Sequence, residues 1–106
     1  MPANIQKLLG ELKRELVRMY GERLKGVYLY GSYARGENQP GSDVDVMIVL
    51  DSYQRYGDEI KRTSELNAKL SLDYDISVSR LFMSEERWKH EDSPLLRNIR
   101  AQGQPA

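Results

Sequence analysis

The chain is 106 residues long, and 16 Lys and Arg balance 16 Asp and Glu to a net charge of zero. This length predicts one domain around one modest core, and the charge balance excludes a global basic field for nucleic acid. The absence of cysteine and a single histidine, His90, exclude disulfides, thiolate metal sites and a multi-histidine zinc site.

Apolar runs are too short for a membrane-spanning helix. No signal-peptide core opens the chain, so the cytoplasm is the expected compartment. Residues 4–24 carry Ile5, Leu8, Leu9, Leu12, Leu16, Met19 and Tyr20 at spacings of three and four, which predicts an amphipathic helix. Asn4 is its expected cap, and Gly21 or Gly26 its stop. Val27-Tyr28-Leu29-Tyr30, flanked by glycines, reads as a buried strand. Residues 31–42 are rich in loop-forming types, with one helical turn expected over Ser32–Arg35. Asp43 to Leu50, DVDVMIVL, is the strongest strand, apolar enough for burial on both faces.

Tyr53 to Leu70 predicts a second helix with Ile60, Leu66 and Leu70 inward and Ser52 as its cap; Gly57 weakens its first turns. Residues 73–81 alternate, with Asp73, Asp75, Ser77 and Ser79 on one side and Tyr74, Ile76 and Val78 on the other. That period predicts a third strand. Ser84 before Glu85-Glu86 marks a last helix to His90, with a further turn near Leu95–Ile99 after Pro94. Residues 102–106 are expected to be a disordered tail, leaving one domain over residues 1–101. The order α-β-β-α-β-α predicts an α+β fold, a mixed sheet of three or four strands packed with helices.

Asp43 and Asp45 stand two apart on a strand, so both carboxylates share a face about 6–7 Å apart. Two carboxylates that close repel unless a cation or a proton intervenes. Mg²⁺ suits them, because it takes oxygen ligands and shares them with substrate phosphates. Mn²⁺ also accepts such ligands. A third carboxylate on a neighbouring strand would complete a two-ion site. Asp75 is the candidate, with Asp73 as its competitor on the same face. Upstream, Gly31 permits close backbone approach to a phosphate, and Ser32 adds a hydroxyl donor. Arg35 lies one helical turn on and can reach a phosphate with charge-assisted hydrogen bonds. Ser42 is grouped with these nucleotide-binding candidates, although a local hydrogen bond or a cap at the strand entry is the plainer role. His90, Lys61-Arg62 and Glu85-Glu86-Arg87 read as solvated faces. Trp88 reads as packing for the last helix, and Tyr28 and Tyr30 as core.

Gly31-Ser32, Ala34-Arg35-Gly36, Ser42-Asp43 and Asp45 together resemble the signature of the polymerase-β-type nucleotidyltransferase superfamily. More narrowly, they resemble its minimal single-domain branch, the MNT-domain proteins. The resemblance implies a polymerase-β-like nucleotidyltransferase core and transfer of AMP from ATP with Mg²⁺, two ions in all. It implies metal on Asp43 and Asp45, with Asp75 as third ligand helping to deprotonate the attacking hydroxyl. Gly31 and Ser32 would hold the β- and γ-phosphates. It also implies an antitoxin that adenylylates a tyrosine of a HEPN-domain ribonuclease toxin, with no direct nucleic-acid binding and no membrane. The alternative is a non-enzymatic MNT-fold module that neutralises its partner by binding. The larger transferases carry a further helical domain, and the short stretch after the third strand leaves no room for one.

Overall fold

The computed structural model describes residues 2–106. Helix α1 (Ala3–Tyr20) buries Ile5, Leu8, Leu9, Leu12, Leu16 and Tyr20, the stripe that the periodicity predicts. Met19 departs from it and is 37% exposed, because it falls between the turns that face the sheet. The helix starts on the Pro2 carbonyl, which accepts from the Ile5 and Gln6 N–H groups. Asn4 therefore sits inside the first turn and does not cap it. Gly21, at φ 55°, ends the helix, and a 3₁₀ turn over Gly21–Arg23 leads into strand β1 (Leu24–Tyr30).

Strand β2 (Val44–Leu50) is buried at every position but Asp45. It lies between β1, antiparallel to it, and β3 (Val78–Ser84), parallel to it. Both faces of β2 are covered, as its unbroken apolar run requires. On one face, Val44, Val46, Ile48 and Leu50 meet α1, Val27, Leu29 and Phe82. On the other, Met47 and Val49 meet Met83, Leu96 and Ile99. The second face is closed by α5 (Glu85–His90) and α6 (Pro94–Gln102). Ser84 caps α5 as predicted, accepting from the Arg87 N–H at 3.3 Å. Trp88 of α5 packs on Tyr28, with ring centroids 5.0 Å apart, and the Arg100 guanidinium covers its other side.

The tail expected to be disordered adds a fourth strand. Strand β4 (Gln104–Pro105) pairs with Tyr28 and Leu29 of β1, giving the sheet order β3-β2-β1-β4. Three long-range bonds hold it: Ala106 N–H to the Val27 carbonyl, Lys13 Nζ to the Ala106 carbonyl, and Gln104 Nε2 to the Ala34 carbonyl. None of these is visible to local composition.

The predicted second helix is two helices, α3 (Tyr56–Arg62) and α4 (Ser64–Tyr74). Helix α3 begins at Tyr56, with no side-chain cap, so Ser52 plays no such part. The break at Thr63 is held from β3. Arg80 Nε donates to Thr63 Oγ1 at 2.7 Å, and its Nη2 donates to the Ile60 carbonyl at 2.8 Å. This cation meets carbonyls freed at the end of α3, where the helix dipole also favours it. The helices also shield the outer edge of β3. Asn67 Nδ2 donates to the Val78 carbonyl, and the Tyr56 hydroxyl accepts the Phe82 N–H. An open strand edge would otherwise invite pairing with another chain.

Helix α4 runs through residues that the alternation assigns to a strand. Lys69 bonds Asp73 one turn on, at 2.7 Å, and the Tyr74 hydroxyl donates to Glu11 of α1 at 3.0 Å. One helix-spaced pair and one tie to α1 accompany helix over this stretch, and β3 starts at Val78. Replacing Arg80 with Met is expected to lower the unfolding free energy by about 1–3 kcal/mol, through its lost hydrogen bonds to Thr63 and Ile60. Urea denaturation measures this, and an unchanged midpoint would remove Arg80 from the junction's energetics.

Candidate active site

Strand β1 is followed at once by Gly31, whose φ of 75° and ψ of −156° lie where L side chains rarely go. A second constraint acts at the same atom. A Cβ on Gly31 would overlap the Asp45 carboxylate. The glycine therefore lets a backbone turn sit directly against that carboxylate. Ser32 follows, opening the single helical turn α2 (Ser32–Arg35), which closes on the Gly31 carbonyl through the Arg35 N–H at 3.2 Å.

The loop back to β2 is a tight turn. Gly41 has a φ of 88°. Ser42 Oγ accepts the Gln39 N–H and the Ser42 N–H donates to the Gln39 carbonyl, each at 2.9 Å. Ser42 is thus engaged in shaping the loop that delivers Asp43, the plainer of its two expected roles. Asp43 is exposed just before β2, and the next N–H, on Val44, donates to the Ser77 carbonyl at 2.9 Å.

Asp45 pairs with Tyr30 across β1 and lies beside Ser79 of β3. Partial burial raises its carboxyl above the ordinary range. Asp43 pushes it further up, and the Arg35 guanidinium pulls the other way. Burial, and then the Asp45 charge, also raise the Tyr30 phenol. Arg35 faces two ways, since its Nε also bonds Glu37 Oε2 at 3.0 Å. The structure therefore brings Gly31, Asp43, Asp45 and Arg35 to one end of β2, with Ser32 at the turn.

Asp75, the expected third ligand, stands outside this group. It caps the end of α4 in the left-handed region, at φ 50°, three residues before β3 begins. There it lines a cavity of about 720 Å³ with Tyr33, Ser42, Tyr74 and Ser77. The cavity is the largest of those described, yet neither Asp43 nor Asp45 lines it. Asp73 is no substitute, being held by Lys69 at 2.7 Å. Among the described residues, no three acidic or histidine side chains form a metal-binding group.

The donor set is therefore two carboxylates, Asp45 on β2 and Asp43 just before it. It fits one divalent cation completed by phosphate oxygens and water. It does not fit a three-carboxylate, two-ion site. Sequence reasoning missed Ser79 as the residue beside Asp45. The period of two from Ser79 to Leu81 and Met83 carried the signal, but only the parallel pairing gives it a register.

A carboxyl raised in the folded state binds protons more tightly there than in the unfolded chain. Its contribution to stability is present below the unfolded value and is lost as pH rises through the folded one. At neutral pH, Asp45→Asn is therefore expected to raise the melting midpoint of the metal-free protein by a few degrees. A fall in that midpoint would contradict this reading of the charge pair. Gly31→Ala is expected to lower the midpoint, because its Cβ meets both the strained φ and the carboxylate.

A family model described as a nucleotidyltransferase domain matches residues 9–100. A relative in Methanocaldococcus jannaschii, named "Putative protein adenylyltransferase MJ0604", is 35% identical over 78% of this chain and 77% of its own length. Two solved structures share the fold at lower identity. One, a toxin–antitoxin with AMP-PNP, superposes with a TM-score of 0.61 at 22% identity, over 88% of this chain and 68% of the other. The second contains a tri-AMPylated Shewanella oneidensis HEPN toxin in complex with an MNT antitoxin. It superposes with a TM-score of 0.57 at 21% identity, over 94% of this chain and 70% of the other.

Proposed function

The chain belongs to the nucleotidyltransferase domain family, and from that premise we propose that it transfers AMP from ATP to a hydroxyl of a partner protein. The partner in this reading is a HEPN-type toxin with a tyrosine acceptor, and the chain is its antitoxin. The observation that carries the reading is the contact geometry of Gly31 with Asp45. It sets a half-buried backbone turn against a carboxylate, where triphosphate and cation meet.

The residues divide the work. Gly31 and Ser32 bind the phosphates, the glycine by close approach and the serine through its hydroxyl. Arg35 swings between Glu37 and the phosphates, adding positive charge. Asp43 and Asp45 would hold a divalent cation, Mg²⁺ or Mn²⁺, which when bound offsets the charge that builds on the departing pyrophosphate. The acceptor oxygen attacks the α-phosphorus, the bond to the α,β-bridging oxygen breaks, and pyrophosphate leaves. The acceptor proton passes to solvent. The relatives support the partner, since one solved complex pairs an AMPylated HEPN toxin with an MNT antitoxin. The missing third carboxylate favours a second reading, in which the chain neutralises its partner by binding alone.

The test incubates the protein with α-labelled ATP, Mg²⁺ and a HEPN-type partner, and weighs the partner by mass spectrometry. The expected result is a gain of one or more AMP units that the Asp43→Ala/Asp45→Ala double variant fails to give. A partner inhibited equally by both proteins, with no mass gain, would replace transfer by occlusion.

A further inference from the structure

Resting on that reading of Asp43 and Asp45, we infer that this chain carries no carboxylate to activate the acceptor, and that Ser79 stands where one belongs. Three observations converge. First, β2 and β3 are parallel and in continuous register from Val44↔Val78 to Leu50↔Ser84, which sets Ser79 directly beside Asp45. Second, the two residues share a face, since the residues two and four further on, Met47, Val49, Leu81 and Met83, meet in one cluster. Third, the acidic residues just before β3 sit outside the strand. Asp75 ends α4 in the neighbouring cavity, and Asp73 is tied to Lys69.

Neighbouring strands lie about 4.8 Å apart. A carboxylate at position 79 would therefore reach the same cation-sized space as Asp45. A serine hydroxyl there is a weak cation ligand and no base at neutral pH. The site binds one cation with the nucleotide, and the acceptor has no side chain of this chain to take its proton. The acceptor class follows: a phenol, ordinarily near pKa ~10, ionises far more readily than an aliphatic alcohol. Ser79 is in this sense a specificity residue for the acceptor.

The test counts bound Mn²⁺ by electron paramagnetic resonance in the presence of α,β-methylene-ATP, which cannot transfer AMP. The wild-type chain is expected to hold one Mn²⁺ with the nucleotide. Ser79→Asp and, as an independent variant, Ser79→Glu are expected to hold two. Ser79→Asn, of similar size but uncharged, is expected to stay at one. With true ATP and the HEPN-type partner, Ser79→Asp is expected to speed AMP transfer at least about tenfold, because general-base catalysis supplies factors of about 10²–10⁴. Two ions in the wild type, reduced to one by Asp75→Asn, would overturn the inference and restore Asp75. Folded Ser79→Asp and Ser79→Glu variants that stay at one ion would also overturn it. Absence of any nucleotide-linked Mn²⁺ in the wild type is a different failure, and it would sink the reading of Asp43 and Asp45 themselves.

Discussion

Strand β2 is pinned on both sides, and its register decides which groups meet Asp45. The antiparallel partner sets Tyr30 opposite and lets the chain turn immediately at Gly31. The parallel partner sets Ser79 alongside. A slip of one residue would carry Asp45 onto the buried face that Val44 and Val46 occupy, which resists the slip. The site is thus a consequence of core packing. The same apolar contacts that hold β2 also hold a carboxylate against a glycine backbone.

That placement has a cost within the protein. Asp45 is partly buried next to Asp43, and both effects work against its ionisation. A purely structural design would avoid two carboxylates at one strand end with one arginine to answer them. Gly31 adds, at the same point, a backbone conformation open in practice only to glycine. Such local conflicts are expected where a sequence serves a ligand and not the fold alone. The rest of the molecule compensates. Arg80 braces the α3–α4 junction, and Trp88 is held between Tyr28 and Arg100.

The central pattern was legible in the sequence because it is local. The apolar spacing of α1, the DVDVMIVL strand and the glycine turn before it all announce themselves within short windows. What was not legible depends on contacts between distant residues. Alternation over Asp73–Val78 fits a strand on paper, but Asp73 and Tyr74 are helical and tied to Lys69 and Glu11. Gln104–Pro105 looks like a loose end, yet it pairs with β1, and Lys13 of α1 and Ala34 of α2 hold the tail through hydrogen bonds. The alternation places Asp75 on a strand, whereas it stands on the turn that ends α4. Once α4 consumes that stretch, the neighbour of Asp45 is a serine.

The central claim is that Asp43 and Asp45 grip a nucleotide through a divalent cation, with Gly31 admitting the phosphates. Isothermal titration of ATP into the protein, with Mg²⁺ and then with excess chelator, tests it most directly. The account predicts binding with Mg²⁺ that is lost on chelation and lost in Asp43→Asn/Asp45→Asn. Equal affinity with and without the cation, unaffected by those substitutions, would contradict it.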